Sequence, residues 1–212
     1  MICPLCLHHE SDIFCRDKKR QYNVCRSCSL VFVPRNELIS PSLEKSRYES
    51  HENDENRQYQ NYLSIIADAI SQKLPAVGFG LDFGCGRTNL LANLLRNKGH
   101  EVISYDIFFY PAQNYLESQY DFIIMSEVIE HLREPSTELE KIKELLNPDG
   151  ILFIKTKLLP ETLKEFENWF YKRDMTHVQF FSNESLSALS ALLGLSQPET
   201  IGEDLYLFRN NR

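Results

Sequence analysis

The sequence has 212 residues and a formal net charge of −7, and hydrophobic residues make up 42% of it. This length is enough for one α/β domain with a small additional unit. The acidic balance argues against a general nucleic-acid-binding surface, which would need to be basic. Because we find neither an apolar run long enough to span a membrane nor the pattern of a signal peptide, we expect no membrane association and a cytoplasmic location.

Four of the six cysteines lie in two Cys-x-x-Cys pairs, Cys3 with Cys6 and Cys25 with Cys28. Each pair can present two thiolates from a tight turn, and two such turns complete a tetrahedral Zn²⁺ site. A unit of about 35 residues buries too little apolar area to fold well alone, so metal binding would supply stability. The spacing predicts a structural zinc ribbon over residues 1–35.

Residues 16–20 (RDKKR) are the densest cationic stretch, and we expect a solvated loop there. Residues 36–75 are polar at first and then carry apolar side chains at helical spacing. This pattern predicts a linker followed by a helix over residues 57–73.

From residue 76 to residue 212, predicted strands alternate with predicted helices. The strands are expected at 79–83, 101–105, 120–125, 151–156 and 205–208, and the helices at 89–97, 137–146, 163–170 and 182–193. This alternation predicts an α/β fold with a mainly parallel sheet covered by helices on both faces. Ligands of such sheets bind beyond the carboxyl ends of the strands.

A glycine-rich turn, residues 82–86 (DFGCG), joins a predicted strand to a predicted helix, and Asp106 ends the next strand. Glycines let the backbone turn sharply and approach a ligand closely. A carboxylate at the end of the second strand suits a ribose diol. An NAD-dependent oxidoreductase is an alternative, although Asn89 stands where the dinucleotide fingerprint has its third glycine.

Three motifs, in the expected order, resemble those of class I S-adenosylmethionine-dependent methyltransferases. They are residues 81–86 (LDFGCG), 120–132 (YDFIIMSEVIEHL) and 146–152 (LNPDGIL). The resemblance implies a Rossmann-like methyltransferase sheet over residues 76–212, with S-adenosylmethionine as cofactor. The residues that it assigns to the cofactor are Gly84 and Gly86 near the methionine part, Asp82 near its ammonium group, Asp106 near the ribose, and Ser126 and Glu127 beside the sulfonium, with Cys85 and Ile107 in the same loops.

The segment between Asp106 and Asp121 departs from the pattern of most relatives, which have a complete βα unit there. We expect this unit to be reduced. Three aromatic residues, Phe108, Phe109 and Tyr110, would then either contact the adenine along one side of its pocket or pack in the core.

Two further segments are similar to those of a bacterial subgroup that carries an N-terminal zinc ribbon. They are residues 47–53 (RYESHEN), followed by Tyr59, and residues 169–182 (WFYKRDMTHVQFFS), in which the subgroup has Pro where Met175 stands. Tyr48 and Tyr59 are expected either to cover the cofactor or to pack as ordinary helix residues. His177, His131 and His51 are candidate general bases, with a structural role as the alternative.

The sequence therefore predicts methyl transfer from S-adenosylmethionine to an unidentified acceptor, with Zn²⁺ as a second bound cofactor. A small-molecule acceptor is favoured over a macromolecule, and nucleic acid is disfavoured. The alternative is a catalytically idle module of the same fold that binds the cofactor or a partner protein.

Overall fold

The computed structural model describes residues 1–49 and 57–211. The elements, in chain order, are β1 (Ser11–Arg16), β2 (Gln21–Cys25), β3 (Val31–Phe32), α1 (Pro41–Glu49), α2 (Arg57–Lys73), β4 (Phe79–Phe83), α3 (Leu90–Asn97), β5 (Glu101–Tyr105), β6 (Tyr120–Ser126), α4 (Pro135–Glu144), β7 (Leu146–Lys155), α5 (Leu163–Asn168), β8 (Gln179–Phe180), α6 (Asn183–Leu193), β9 (Glu199–Ile201) and β10 (Leu205–Arg209).

The larger sheet has six strands in the order β5-β4-β6-β7-β10-β9. Strands β4 to β7 are parallel, whereas β10 runs antiparallel to both β7 and β9. Parallel strands need crossover connections, and α3 supplies the one from β4 to β5 and α4 the one from β6 to β7. The predicted α/β fold with a Rossmann-like sheet is confirmed.

Helices cover both faces of this sheet. Alternate residues of each strand point to opposite sides, so each strand contributes side chains to two cores. On one face Ile123 of β6 packs in a core with Leu139 of α4 and Leu189 of α6. On the other face Phe122 of β6 packs in a second core with Ile66 of α2 and other side chains of α2 and α3. Burial on both faces explains why the central strands are almost continuously apolar.

The cysteine-rich segment forms a small antiparallel sheet, β1-β2-β3, that is extended by β8 from the far end of the chain. Val31 pairs with Phe180, and Phe32 pairs with Gln179. Cys3 and other side chains of the segment belong to the same core as α4 and α6. The segment is therefore joined to the larger sheet by shared packing as well as by the chain.

Helix α1 lies in the stretch that we expected to be a linker. Ser40 precedes it, and the Ser40 hydroxyl accepts a hydrogen bond from the Leu43 amide at 3.3 Å. The Glu44 carboxylate accepts a hydrogen bond from Arg133 at 2.6 Å. The helix buries no side chain, so apolar periodicity does not mark it in the sequence; only its capping residues do.

In the cationic stretch 16–20, Arg16, Lys18 and Lys19 are exposed as expected, whereas Arg20 is not. Arg20 is 3% exposed, and its guanidinium donates to the backbone oxygens of Lys172 at 2.7 Å and Asp174 at 3.1 Å. Asp17 accepts a hydrogen bond from the Lys172 ammonium at 2.7 Å. Partners that are more than 150 positions away in the chain make this burial possible, and a local charge pattern does not reveal them.

The connection between β5 and β6 contains a short 3-10 helix, Gln113–Glu117, and neither a strand nor an α-helix among its described residues. The expected reduction of this unit is confirmed. Several expected boundaries differ: α4 spans Pro135–Glu144, β7 begins at Leu146, and α5 ends at Asn168, for example. Within the described ranges 1–49 and 57–211, none of the helices combines the length and apolar character needed to cross a membrane.

Candidate active site

A cavity of about 1550 Å³ opens at the carboxyl ends of β4, β5 and β6. Binding sites for a single small ligand usually measure roughly 300 to 1,000 Å³, so this cavity has room for two molecules. It is lined by all the cofactor-binding and histidine candidates that the structure describes, namely Asp82, Gly84, Cys85, Gly86, Asp106, Ile107, Ser126, Glu127, Tyr48, Tyr59, His131 and His177. His51 lies outside the described residues.

The turn after β4 requires glycine at Gly84. Its φ angle is +79°, and a Cβ there would lie 2.5 Å from Val128 Cγ2. Gly86 also has a positive φ, +68°, and a Cβ there would meet no described atom within 4 Å. The turn therefore packs against the segment that follows β6 on one side and leaves its Gly86 side open to the cavity.

Asp82, the penultimate residue of β4, lies beneath this turn with one unsatisfied carboxylate oxygen. The residue is 2% exposed, and its Oδ2 has no hydrogen-bond partner among the described residues. Burial raises the pKa of Asp82 from 3.8 to about 7. A buried acceptor without a donor costs folding free energy, so a cationic or N–H group of a ligand would fit here.

Asp106 is held rigidly at the end of β5. Its Oδ1 accepts from the amide of Phe108 at 2.8 Å and from that of Phe109 at 3.1 Å, and its Oδ2 accepts from the Gly86 amide at 3.1 Å. A carboxylate has about four acceptor sites, so these bonds leave capacity for ligand hydroxyls. Tyr48 of α1 contacts the Phe108 ring, with 5.5 Å between the centroids.

A network of acids lies beyond β6, and of its acidic members we predicted only Glu127 as a site residue. Lys155 is buried and pairs with Glu127 and, at 3.1 Å, with Asp204. The Tyr171 hydroxyl lies 2.9 Å from a Glu127 oxygen and 2.5 Å from a Glu130 oxygen. Burial and the neighbouring Glu127 raise the pKa of Glu130 well above its usual range. Lys155, which ends the otherwise apolar stretch 151–155, is a sequence signal for this network in addition to Glu127.

His131 and His177 lie beside each other, with 4.6 Å between the ring centroids. His177 Nδ1 is 2.7 Å from the Tyr171 carbonyl oxygen, and His131 Nδ1 is 3.1 Å from the Thr176 carbonyl oxygen. A carbonyl can only accept, so Nδ1 carries the proton in both rings. In the neutral rings Nε2 then carries the lone pair, which can accept a proton or bind a metal.

The four predicted zinc ligands form a second cluster, away from the cavity. The sulfur atoms of Cys3, Cys6, Cys25 and Cys28 all lie within 4.8 Å of one another. The Sγ atoms of Cys3 and Cys28 are 3.6 Å apart, and those of Cys6 and Cys25 are 3.5 Å apart. A disulfide would need about 2.05 Å, whereas tetrahedral Zn–S bonds of about 2.3 Å separate sulfurs by roughly 3.8 Å.

The two cysteine turns have the same backbone. Leu7 and Ser29 follow the second cysteine of each pair, and both have left-handed φ angles, 58° and 59°. The Leu7 amide donates to the Cys3 carbonyl at 3.0 Å, and the Ser29 amide donates to the Cys25 carbonyl at 3.0 Å. Two matching turns thus present their sulfurs toward a common centre.

The parallel sheet, the glycine turn and the acid at the end of β5 are features of nucleoside-binding proteins with a Rossmann-like fold. Residues 33–196, more than half of the chain, match the family described as "Methyltransferase domain". The chain belongs to this family, and the prediction of an S-adenosylmethionine-dependent methyltransferase is confirmed. Comparison with curated protein sequences gives no match.

Solved methyltransferase structures share the fold. The Burkholderia thailandensis 1,6-didemethyltoxoflavin-N1-methyltransferase, solved with its substrate and S-adenosylhomocysteine, is 17% identical with a TM-score of 0.57, over 96% of this chain and 100% of that one. Human N-acetylserotonin methyltransferase with S-adenosylmethionine is 16% identical with a TM-score of 0.57, over 82% of this chain and 61% of that one. Magnesium protoporphyrin IX methyltransferase from Synechocystis is 14% identical with a TM-score of 0.53, over 82% and 96%.

Proposed function

We propose that this protein transfers a methyl group from S-adenosylmethionine to a small molecule bound in the same cavity. The observation that carries the proposal is the buried, unsatisfied Oδ2 of Asp82 next to the open side of the Gly84–Gly86 turn. An ammonium group is the part of the cofactor that this carboxylate would satisfy. The bound cofactor supplies a methyl group on a sulfonium, which is already electrophilic.

The residues around the cavity would bind and orient the cofactor. Asp82 accepts from its ammonium group, the Gly86 side of the turn admits its methionine part, and Asp106 accepts from its ribose hydroxyls. Ser126 and Glu127, at the end of β6, would hold the cofactor near its sulfonium. The side chains proposed to surround the adenine by apolar or aromatic contact are Cys85, Ile107, Phe108, Phe109, Tyr48 and Tyr59.

The acceptor would occupy the remainder of the cavity. The cavity volume of about 1550 Å³ supports a second ligand, and in-line placement supplies much of the rate of methyl transfer. Small acceptors are also named for two solved relatives, a toxoflavin precursor and magnesium protoporphyrin IX. If the acceptor loses a proton, His177 and His131 are candidate bases, with His51 as a third.

Calorimetry with S-adenosylhomocysteine tests the cofactor assignment. We expect one-to-one binding that saturates below millimolar ligand in the wild type and is lost in Gly84→Arg. NADH in a parallel titration tests the dinucleotide alternative and should give no heat. Absence of S-adenosylhomocysteine binding at millimolar ligand, or binding of NADH in its place, would refute the proposal.

An idle cofactor-binding module is a second candidate, favoured by the short β5–β6 connection next to the adenine region. The two functions differ in turnover. Incubation with methyl-labelled S-adenosylmethionine and a pool of small metabolites should yield labelled product if the protein is an enzyme. Binding without any transfer from the labelled methyl group would support the idle module.

We also propose that Cys3, Cys6, Cys25 and Cys28 bind one structural Zn²⁺. The short sulfur separations and the paired turns support this assignment, and four thiolates leave no position for a substrate. With this site we propose a ribbon over residues 1–35, followed by a linker and helix over 36–75 and a methyltransferase domain over 76–212. A cytoplasmic location stays a prediction.

A further inference from the structure

Glu130, His131 and His177 bring together the ligand types of a divalent-cation site. One carboxylate oxygen of Glu130 and one ring nitrogen of each histidine lie within 4.8 Å of one another. Metal–nitrogen and metal–oxygen bonds of about 2.0–2.2 Å separate neighbouring ligand atoms by roughly 3 to 4 Å. Small side-chain rotations would therefore close these three residues around one ion.

The histidines are oriented as metal-binding imidazoles usually are. Each ring donates Nδ1–H to a backbone carbonyl, His177 to Tyr171 at 2.7 Å and His131 to Thr176 at 3.1 Å. Such contacts fix the tautomer and the ring orientation, and they raise the basicity of the ligating nitrogen. The backbone thus prepares both rings to bind through Nε2.

Hydrogen bonds hold the carboxylate of Glu130, and no described residue forms an ion pair with it. Glu130 is fully buried, with Oε2 accepting from the Thr156 hydroxyl at 3.1 Å and Oε1 at 2.5 Å from the Tyr171 hydroxyl. Among the described residues, Lys155 pairs with Glu127 and Asp204, and none of the ion pairs includes Glu130. A bound cation would compensate this buried acidic group.

We propose that Glu130, His131 and His177 form a metal site, separate from the cysteine cluster, for a divalent transition-metal ion such as Mn²⁺ or Zn²⁺. Three protein ligands leave coordination positions open, and both histidines line the cavity. The open positions would hold an oxygen or nitrogen atom of the methyl acceptor. The acceptor contact rests on the proposed function, whereas metal binding does not. The two imidazoles then act as ligands and not as bases.

Mn²⁺ titration followed by electron paramagnetic resonance tests the site, because bound Mn²⁺ loses the sharp signal of the free ion. The zinc-loaded wild type should bind one Mn²⁺ per chain, and Glu130→Gln and His177→Ala should weaken binding by at least about tenfold, as changes around metal ligands do. His9→Ala, which alters an exposed histidine outside the cluster, should leave Mn²⁺ binding unchanged. No stoichiometric binding at millimolar Mn²⁺, or binding that both cluster variants retain, overturns the proposal.

Two further readouts keep this test independent of folding and of the cofactor. Co²⁺ added to the zinc-loaded wild type should give weak d–d bands without a sulfur-to-cobalt charge-transfer band, and the appearance of that band overturns the assignment to nitrogen and oxygen ligands. Calorimetry with S-adenosylhomocysteine on the same samples separates the two proposals. Cofactor binding without Mn²⁺ binding overturns only the metal site, and Mn²⁺ binding without cofactor binding overturns only the proposed function.

Discussion

Asp82 links the stability of the protein to its proposed ligand. In the unfolded chain its pKa is near 3.8, and burial raises the pKa to about 7 in the folded state. Between these values the folded protein holds a proton that the unfolded chain releases, so stability falls as pH rises. The contribution of Asp82 is complete below about pH 4 and is lost as pH rises through 7.

Asp82→Asn should therefore have opposite effects on stability and binding. Urea unfolding at pH 5 and pH 8 should show that the wild type loses more stability than the variant over this interval, because asparagine stays neutral. Affinity for S-adenosylhomocysteine should fall about 10- to 100-fold, the value of a hydrogen bond to a charged group. Equal pH dependence in the two proteins, or unchanged affinity, would contradict the role given to Asp82.

Gly84→Ala tests whether the turn tolerates a side chain, and Gly194→Ala is its matched control. Both glycines have left-handed φ angles, +79° and +61°, but a Cβ at Gly194 meets no described atom within 4 Å. Thermal unfolding should show a loss of about 1 kcal/mol for Gly194→Ala and a clearly larger loss for Gly84→Ala, which also meets Val128. Only Gly84→Ala should reduce cofactor binding; similar losses in both variants would show that the contact with Val128 is unimportant.

The cysteine turns stabilise more than their own short sheet. β3 pairs with β8, and Cys3 and Cys28 lie in the core that α4 and α6 share. If these cysteines bind Zn²⁺ as proposed, loss of the metal would leave thiolates or thiols inside a core that extends to the larger sheet. The expected consequence is destabilisation of the whole chain and not of the first 35 residues alone.

Metal analysis should find one equivalent of Zn²⁺ in the purified protein and less in Cys28→Ser. If the variant loses about 3 kcal/mol, its Tm should fall by roughly 6–12 °C for a domain of this size. Cys15→Ser, which changes a half-buried cysteine outside the cluster, should leave the zinc content unchanged. Less than about half an equivalent of Zn²⁺ in the wild type would refute a four-thiolate site.

The sequence predicts well the elements whose apolar residues recur at a regular spacing or whose ends carry a clear capping residue. Helix α2 matches its expected limits because Leu63, Ile66 and Ile70 mark its buried stripe. Helix α6 follows the expected Ser182 cap and ends at Gly194 in the left-handed conformation. By contrast, β8 has two residues and exists because it pairs with β3. Its partner lies far away in the chain, so local pattern cannot reveal it.

At the scale of the whole molecule, the order of the motifs was sufficient to predict which loops meet. Parallel strands place their carboxyl ends at one edge, so the turn after β4 and Asp106 after β5 had to be neighbours. The acid network was not predictable in this way. Tyr171 reaches Glu127 and Glu130 across more than 40 positions of sequence, through a loop whose path depends on the buried Arg20.

A structure determined with S-adenosylhomocysteine would examine the cavity as a whole. We predict the ligand at the carboxyl ends of β4 to β6, with its ammonium nitrogen within about 3 Å of Asp82 Oδ2, a normal charge-assisted hydrogen bond, and its ribose hydroxyls on Asp106. The space beyond the sulfur should open toward His131 and His177. A ligand bound elsewhere, or one that leaves Asp82 Oδ2 without a partner, would contradict the function proposed for this protein.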